Sequence, residues 1–242
     1  MTRTLVQRDA GEALYRQIAR AVEQEVRRFF RPGDVLPPER VWCERFGVNR
    51  HTFRHAVDGL VDAGLVDRRH GRGMVVLEPP VEYGIGAGTR FTETLEAQGR
   101  TADTRVLGRQ VVPASGGVAR RLELADGAAV LWVETLRTVD AKPFCLISHF
   151  LPQAVVGEAL DGYADGSLHE LIKHNLNIGL RRSYSLVSAA LPMGDDAPLL
   201  KMPAKHPLLR VKSLNVDAAT GGPVEYALTR FRADAVQLSI NP

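Results

Sequence analysis

The sequence predicts an α+β protein of two domains, and three observations lead to this fold class. Its 242 residues exceed the roughly 100–150 residues of a typical single domain. Apolar residues have helical spacing in the first third, whereas the remainder alternates strand-like runs with short turns. Glu78-Pro79-Pro80 interrupts both patterns. We therefore expect domains at 1–78 and 86–242, joined by a linker at 79–85.

Three helices are predicted in the first domain. Apolar residues recur at near-helical intervals over 14–29, and a short second helix starts after Pro37-Pro38 and is broken at Gly47. Asn49 is a favourable N-cap for a third, amphipathic helix, which Gly64 terminates. Two helices joined by a tight glycine-containing turn, with basic residues on the outer face of the second, form a helix-turn-helix pattern.

A hairpin with a glycine-rich tip is predicted after these helices. Strand-like runs at 65–69 and 74–77 flank His70-Gly71-Arg72-Gly73, which is typical of the wing of a winged helix-turn-helix. Residues 1–78 contain 14 Arg, no Lys and 11 Asp or Glu, so they hold the entire formal net charge of +3. Arg binds phosphate and guanine bidentately, and the surplus therefore favours nucleic acid as a partner. A solvated charged face would give the same surplus.

The second domain is predicted to contain a predominantly antiparallel sheet. Turn-forming residues at 140–143 and 219–223 leave room only for hairpin connections, which join antiparallel strands. The expected strands cover 104–112, 129–139, 143–151, 180–191, 208–217 and 223–232, and the expected helices cover 91–98, 116–122 and 167–176.

Several classes of protein are excluded by composition. Hydrophobic residues make up 45% and charged residues 24%, and no apolar run approaches the roughly 18 residues of a membrane span. The first residues lack the apolar core of a secretion signal, so we expect a cytoplasmic protein with no membrane association. Cys43 and Cys145 are then expected as free thiols. We expect no metal and no cofactor, because His51 and His55 lack a third ligand nearby.

Three stretches of the first domain follow one another in a fixed pattern: Leu36–Arg40 (LPPER), Gly47–Arg54 (GVNRHTFR) and His70–Gly73 (HGRG). In this order they resemble the DNA-binding domain of the GntR family of bacterial transcription regulators. The resemblance implies double-stranded operator DNA as the partner, read by the N-terminal half of the third helix. His51 replaces the Thr or Ser often found there, which leaves the base preference open. The expected DNA-binding residues are Arg40, Asn49, Arg50, His51, Thr52, Arg54, His70, Gly71 and Arg72.

The second domain carries a further resemblance. Arg90-Phe91-Thr92-Glu93 with Gly99, and Leu122-x-Leu124-x-x-Gly127, are similar to the HutC subfamily, whose UTRA ligand-binding domain has a chorismate-lyase-like fold. Cys145–Phe150, Gly166–Glu170 and Leu180–Ser183 resemble regulators of phosphonate-utilisation operons. The resemblance implies an effector-responsive repressor that binds an inverted repeat as a homodimer through the second domain.

The expected effector is a small anion, either a phosphonate or a phosphate ester, and its site needs Arg forks and hydroxyls. Ile147 replaces a Glu that holds the sugar in some sugar-phosphate-binding relatives, which argues against an amino sugar. Arg137 could instead pair with Asp140, and His149 and Tyr184 could be structural. Strand residues alternate between faces, so at most one of Arg181 and Arg182 points into the site, and Arg182 is preferred. The expected effector-binding residues are Arg90, Arg137, His149, Arg182, Ser183, Tyr184 and Glu225.

Other functions stay open on the sequence alone. The effector could be another small metabolite, such as a sugar phosphate or an amino-acid catabolite. The second domain could merely dimerise, or it could be an enzyme, since its fold resembles that of a lyase. We expect no enzyme, because the sequence contains no nucleophile elbow, zinc signature or glycine-rich nucleotide loop.

Overall fold

The computed structural model describes residues 12–69, 71–86 and 91–240. The chain divides into two compact units, Met1–Pro79 and Pro80–Pro242, which have the α+β architecture that the sequence predicts. In the described part of the chain, no helix is both long enough and apolar enough to cross a membrane.

Three helices and a hairpin form the first unit, as predicted. They are α1 (Leu14–Phe29), α2 (Glu39–Phe46), α3 (Arg50–Asp62), β1 (Val66–Arg69) and β2 (Gly73–Val76). Gly47 ends α2 with a φ of 65°, a left-handed conformation that glycine adopts without a steric penalty. Trp42 is fully buried at the centre, and its ring stacks on Phe46 and Phe53 with centroids 5.9 and 6.1 Å away. The helix-turn-helix is thereby fixed around an aromatic core.

A six-stranded antiparallel sheet forms the second unit, in the order β4-β5-β6-β9-β8-β7. Each predicted strand is present, with ends within two residues of those expected. The strands are β4 (Ala102–Pro113), β5 (Ala129–Val139), β6 (Lys142–Pro152), β7 (Leu180–Ala190), β8 (Leu208–Asp217) and β9 (Pro223–Arg232).

The structure corrects the prediction of a linker over 79–85. Val81–Gly84 form strand β3, which pairs in parallel with β10 (Val236–Ser239). Neither strand was predicted, because each is only four residues long and its partner lies some 150 residues away in sequence. Tyr83 and Ile85 are therefore buried parts of the second unit rather than linker residues.

Helices cover both faces of the sheet. Leu131 and Val133 of β5 pack against Leu168 and Ile172, on the face that β3 and β10 also cover. Leu136 points to the opposite face, where the helix that ends at Leu199 packs. The helices are α4 (Phe91–Glu96), α5 (Gly116–Arg121), α6 (Gln153–Val156), α7 (Leu168–Leu176) and α8 (Asp196–Leu199). The six-residue α4, the six-residue α5 and the nine-residue α7 match the predicted helices.

Candidate nucleic-acid interface and ligand pocket

The N-terminus of α3 is held by a side-chain cap. The Asn49 side-chain oxygen accepts hydrogen bonds from the Thr52 backbone N–H at 2.8 Å and from the Thr52 hydroxyl at 3.0 Å. The cap satisfies a backbone donor that the helix leaves unpaired, and it fixes the direction in which the helix starts. Arg50 and His51, the first two residues of α3, are exposed.

The arginines around this helix end differ in their partners. Arg54 donates through Nε to the Glu39 carboxylate at 2.9 Å, and Arg40 pairs with Glu44 at 3.0 Å. Arg50 forms no hydrogen bond or ion pair with any residue that the structure describes. Arg50 is therefore available to an outside partner without first breaking an internal bond.

A basic groove of about 560 Å³ runs between the start of α3 and the hairpin. Arg68 and Arg69 of β1 line it, and neither was among the predicted DNA contacts. Their position directly before the glycine-rich tip was the signal that could have identified them. The groove is lined by Pro37, Pro38, Glu39, Arg40, Arg50, Arg68, Arg69, Gly71, Gly73 and Met74.

The tip of the hairpin is described only in part. Gly71 and Gly73 have φ values of 74° and 84°, and a Cβ at Gly71 would meet nothing within 4 Å. The tip can thus approach another molecule closely. Arg72 is exposed, and His70 lies outside the described residues.

The second unit contains a cavity of about 70 Å³ on the sheet face that carries β3 and α7. Its walls are apolar and aromatic, with polar groups supplied by the strands and by the start of α7. The residues that line it are Tyr83, Ile85, Phe91, Arg137, Ile147, His149, Ser167, His169, Arg182, Val211, Ser213, Asn215, Glu225, Ala227, Thr229 and Phe231.

A fully buried carboxylate lies in this cavity. Glu225 is within hydrogen-bond distance of His149 Nδ1 at 2.5 Å, His169 Nε2 at 2.7 Å and Asn215 Nδ2 at 2.5 Å. Burial by itself would raise the pKa of Glu225, but His169 and the hydrogen bonds from the two imidazoles bring that pKa well below its ordinary value. Glu225 is therefore ionised at neutral pH.

His149 is neutral, because its complete burial lowers the pKa of its imidazole. Its Nδ1–H then donates to Glu225, while its Nε2 accepts from the Thr135 hydroxyl at 3.2 Å. The carboxylate thus gains a hydrogen bond from His149 but no positive charge. Within the described ranges, no group of three or more His, Cys, Asp or Glu side chains could hold a metal ion.

Two arginines line the same cavity. Arg137 is 5% exposed, donates to the Thr104 hydroxyl at 3.0 Å and lies 5.0 Å from the centre of the Phe91 ring. Arg182 contacts Tyr83, whose phenol has a raised pKa chiefly because it is buried. The Nε atoms of both arginines are buried without a hydrogen-bond partner among the described residues. Buried polar groups are normally paired, so these two Nε atoms are exceptions within the described part of the chain.

Four of the seven predicted effector residues meet in this cavity: Arg137, His149, Arg182 and Glu225. Asp140, which could have held Arg137 in a surface ion pair, instead binds Arg100 at 2.7 Å. Sequence analysis missed His169 and Asn215 as site residues. They adjoin Glu225 only through the docking of α7 and the register of β8, which no local pattern shows.

Ser183 and Tyr184 do not line the cavity, contrary to prediction. The register between β7 and β8 shifts between Arg182 and Tyr184, which is the signature of a β-bulge. Ser183 occupies the bulge and is exposed, and Tyr184 turns to the opposite face, where the Arg121 guanidinium lies 5.2 Å from its ring centre. Arg90 lies outside the described residues.

The winged helix-turn-helix with its arginine-lined groove defines the class of protein, a DNA-binding regulator of transcription. Comparisons with known proteins agree. Residues 14–76 match the bacterial regulatory proteins of the gntR family, and residues 97–237 match the UTRA domain. The chain belongs to the GntR family, in its HutC-type combination of a helix-turn-helix with a UTRA domain.

Individual relatives are regulators as well. The chain is 38% identical to the "Probable transcriptional regulator PhnF" of Escherichia coli (strain K12), over 93% of this chain and 94% of that protein. It is 25% identical to the "HTH-type transcriptional repressor NagR" of Bacillus subtilis (strain 168), over 91% of each. The crystal structure of PhnF from Mycobacterium smegmatis is similar with a TM-score of 0.67 at 27% identity, covering 93% of this chain and 98% of that one.

Proposed function

We propose that this protein is an effector-responsive repressor of a phosphonate uptake or metabolism operon. The observation that carries the effector class is the pair of buried guanidinium Nε atoms of Arg137 and Arg182, which have no partner among the described residues. A phosphorus oxyanion offers several acceptor oxygens and up to two charges, which match two arginine forks. The similarity to PhnF supports the operon assignment.

On the DNA side, we propose a homodimer on an inverted repeat, with the second unit as the contact between protomers. One recognition helix reaches too few base pairs for useful specificity, and paired half-sites double the interface. The proposed base readers are Arg50, His51 and Arg54, and the proposed contacts to the backbone and the minor groove are Arg40, Asn49, Thr52, His70, Gly71 and Arg72.

The effector would lower the affinity for DNA by favouring one of two protein conformations. Its influence is limited to the difference between its affinities for the two, typically about 1–3 kcal/mol. Tyr83 gives this coupling a physical basis, since it contacts Arg182 in the cavity and lies four residues after Pro79, where the first unit ends.

The test is calorimetry of the full chain with methylphosphonate and inorganic phosphate. We expect binding of at least one of them, and we expect Arg182→Gln to weaken it at least about tenfold, because a charge-assisted fork is lost. Arg181→Gln is the matched control, since Arg181 is the exposed neighbour on the same strand. The same ligand should weaken binding to a duplex selected by the protein from a random-sequence pool.

Three results would contradict the proposal. If neither anion binds, the effector is of another class. If Arg181→Gln and Arg182→Gln weaken binding equally, the cavity is not the site. If the phosphorus NMR spectrum of the bound anion shows a new compound after incubation, the second unit is an enzyme rather than a sensor.

A further inference from the structure

The cavity separates charges of opposite sign. Arg182, Asn215 and Glu225 are directly opposite one another on three adjacent strands, β7, β8 and β9. Adjacent strands are about 4.8 Å apart, so the backbones of Arg182 and Glu225 lie about 10 Å from each other, with Asn215 between them. A small molecule that touches Arg182 at one end therefore comes within reach of Glu225 at the other.

The charge of Glu225 has no cationic Lys or Arg partner among residues 12–69, 71–86 and 91–240. Its three neighbours are an amide and two imidazoles, and His169 makes the largest contribution to lowering the pKa of Glu225. Arg137 and Arg182 line the same cavity and have no carboxylate partner in that part of the chain, so an anionic group of a ligand would compensate their charge. Anion and cations lie in one cavity without pairing with each other.

Glu225 also has accepting capacity left. An ionised carboxylate offers about four acceptor positions. The oxygen Oε2 accepts hydrogen bonds from His169 Nε2 and Asn215 Nδ2, whereas Oε1 accepts a hydrogen bond from His149 Nδ1 alone. By this count Oε1 is the oxygen that keeps an acceptor position for a further donor.

The wall of the cavity also carries apolar side chains. Val211 and Ala227 come from the same strands as Asn215 and Glu225, and Ile147 lies beside them. These side chains can pack against a short hydrocarbon spacer, while Ser213, Asn215 and Thr229 add polar groups to the same wall.

We propose that the effector carries an ammonium group as well as a phosphorus oxyanion, and that the ammonium binds Glu225 while the oxyanion binds Arg137 and Arg182. The effector class is thus a small aminoalkylphosphonate. This inference rests on the proposed function of the cavity, which it narrows from any phosphorus oxyanion to a zwitterion.

Two ligands of nearly equal shape test the idea on the wild-type protein. In n-propylphosphonate a methyl group replaces the ammonium of 2-aminoethylphosphonate. We expect the amino compound to bind at least about tenfold more tightly in calorimetry, because a hydrogen bond between charged groups in a buried site contributes that much. Equal affinities, or tighter binding of n-propylphosphonate, would overturn the inference while leaving the phosphonate proposal intact. If neither ligand binds, nor inorganic phosphate, the proposed function itself fails.

A variant then tests whether Glu225 is the group that causes the preference for the amino compound. In Glu225→Gln the ratio of the two affinities should fall toward one, whereas in Glu158→Gln, an exposed carboxylate on the surface of the same unit, the ratio should stay at the wild-type value. A tenfold preference that persists in Glu225→Gln would show that another group holds the ammonium. If Glu225→Gln binds neither ligand, the wild-type comparison decides the question alone.

Discussion

Arginine has opposite environments in the two units. In the first, Arg40 and Arg54 lie on the surface and already pair with nearby carboxylates, and Arg50 projects into solvent. In the second, Arg137 and Arg182 line a cavity, and the Nε atom of each is buried with no hydrogen-bond partner among the described residues. Exposed ion pairs contribute little to stability and exchange partners readily, whereas an unpaired buried cation is costly.

The difference shows how each unit is suited to its ligand. A DNA duplex is large and carries many charges, so a groove of exposed arginines can bind it by exchanging weak internal pairs for phosphates. A small metabolite forms few contacts and needs each of them to be preorganised. The first unit therefore keeps its core separate from its binding surface, whereas the second places its binding groups within its core.

The largest expected effect comes from a change in the core of the first unit, and it tests whether this core is separate from the binding sites. Trp42→Ala should destabilise the first unit by about 3–5 kcal/mol, because it removes a fully buried ring stacked between two others. The phosphonate binding that we propose for the second unit should survive. Thermal unfolding and calorimetry on the full chain measure the two properties.

Phe29→Ala is the control for this prediction, since Phe29 is an aromatic residue that is 68% exposed. It should change stability by no more than about 0.5 kcal/mol. If Trp42→Ala also abolishes phosphonate binding, the two units are energetically coupled and the separation of roles is wrong.

The sequence was sufficient to predict those elements and residues whose structure depends on nearby residues. The long strands and the helices of the first unit follow from apolar periodicity, and Asn49 was identified as a cap from its residue type and position. Alternation along a strand limited the pocket to one of Arg181 and Arg182, and Arg182 is the one that lines it. These features depend on interactions within a few residues.

Predictions failed where distant pairing decided the outcome. In a regular strand Tyr184 would share the face of Arg182, but the bulge at Ser183 turns it to the opposite face, and only the register with β8 reveals the bulge. His169 reaches Glu225 from a different element, 56 residues away in sequence. The parallel pairing of β3 with β10 likewise joins segments from opposite ends of the second unit.

A smaller effect is expected from the exposed arginine of α3. Arg50→Ala should reduce discrimination between the selected duplex and a scrambled one by about 1–3 kcal/mol, the contribution of an arginine that reads a guanine. Stability should not change, because Arg50 has no bond within the described chain to lose. Binding at several salt concentrations separates a base contact from a phosphate contact.

Arg28→Ala, which replaces an exposed arginine on α1, is the control. An unchanged ratio of specific to scrambled binding would mean that Arg50 is not a base reader.

The smallest expected effect concerns Asn49, which has a structural role and a proposed binding role at one position. Asn49→Ala should lower stability by about 1 kcal/mol, because the α3 cap to Thr52 is lost. Asn49→Asp should retain the stability, since aspartate caps equally well and its charge suits a helix N-terminus.

The same two variants separate the roles once DNA is added. The aspartate adds a negative charge beside Arg50, facing the phosphates, so Asn49→Asp should bind both specific and scrambled duplexes more weakly at low salt. Urea unfolding and DNA titration of both variants provide the measurements. If Asn49→Asp binds DNA as tightly as the wild type, residue 49 does not lie near the phosphates. If Asn49→Ala is as stable as the wild type, the Asn49 cap does not stabilise α3. If both expectations hold, this surface combines a structural bond and a DNA contact in one side chain, as we propose that Glu225 combines a structural network and a ligand contact in the other unit.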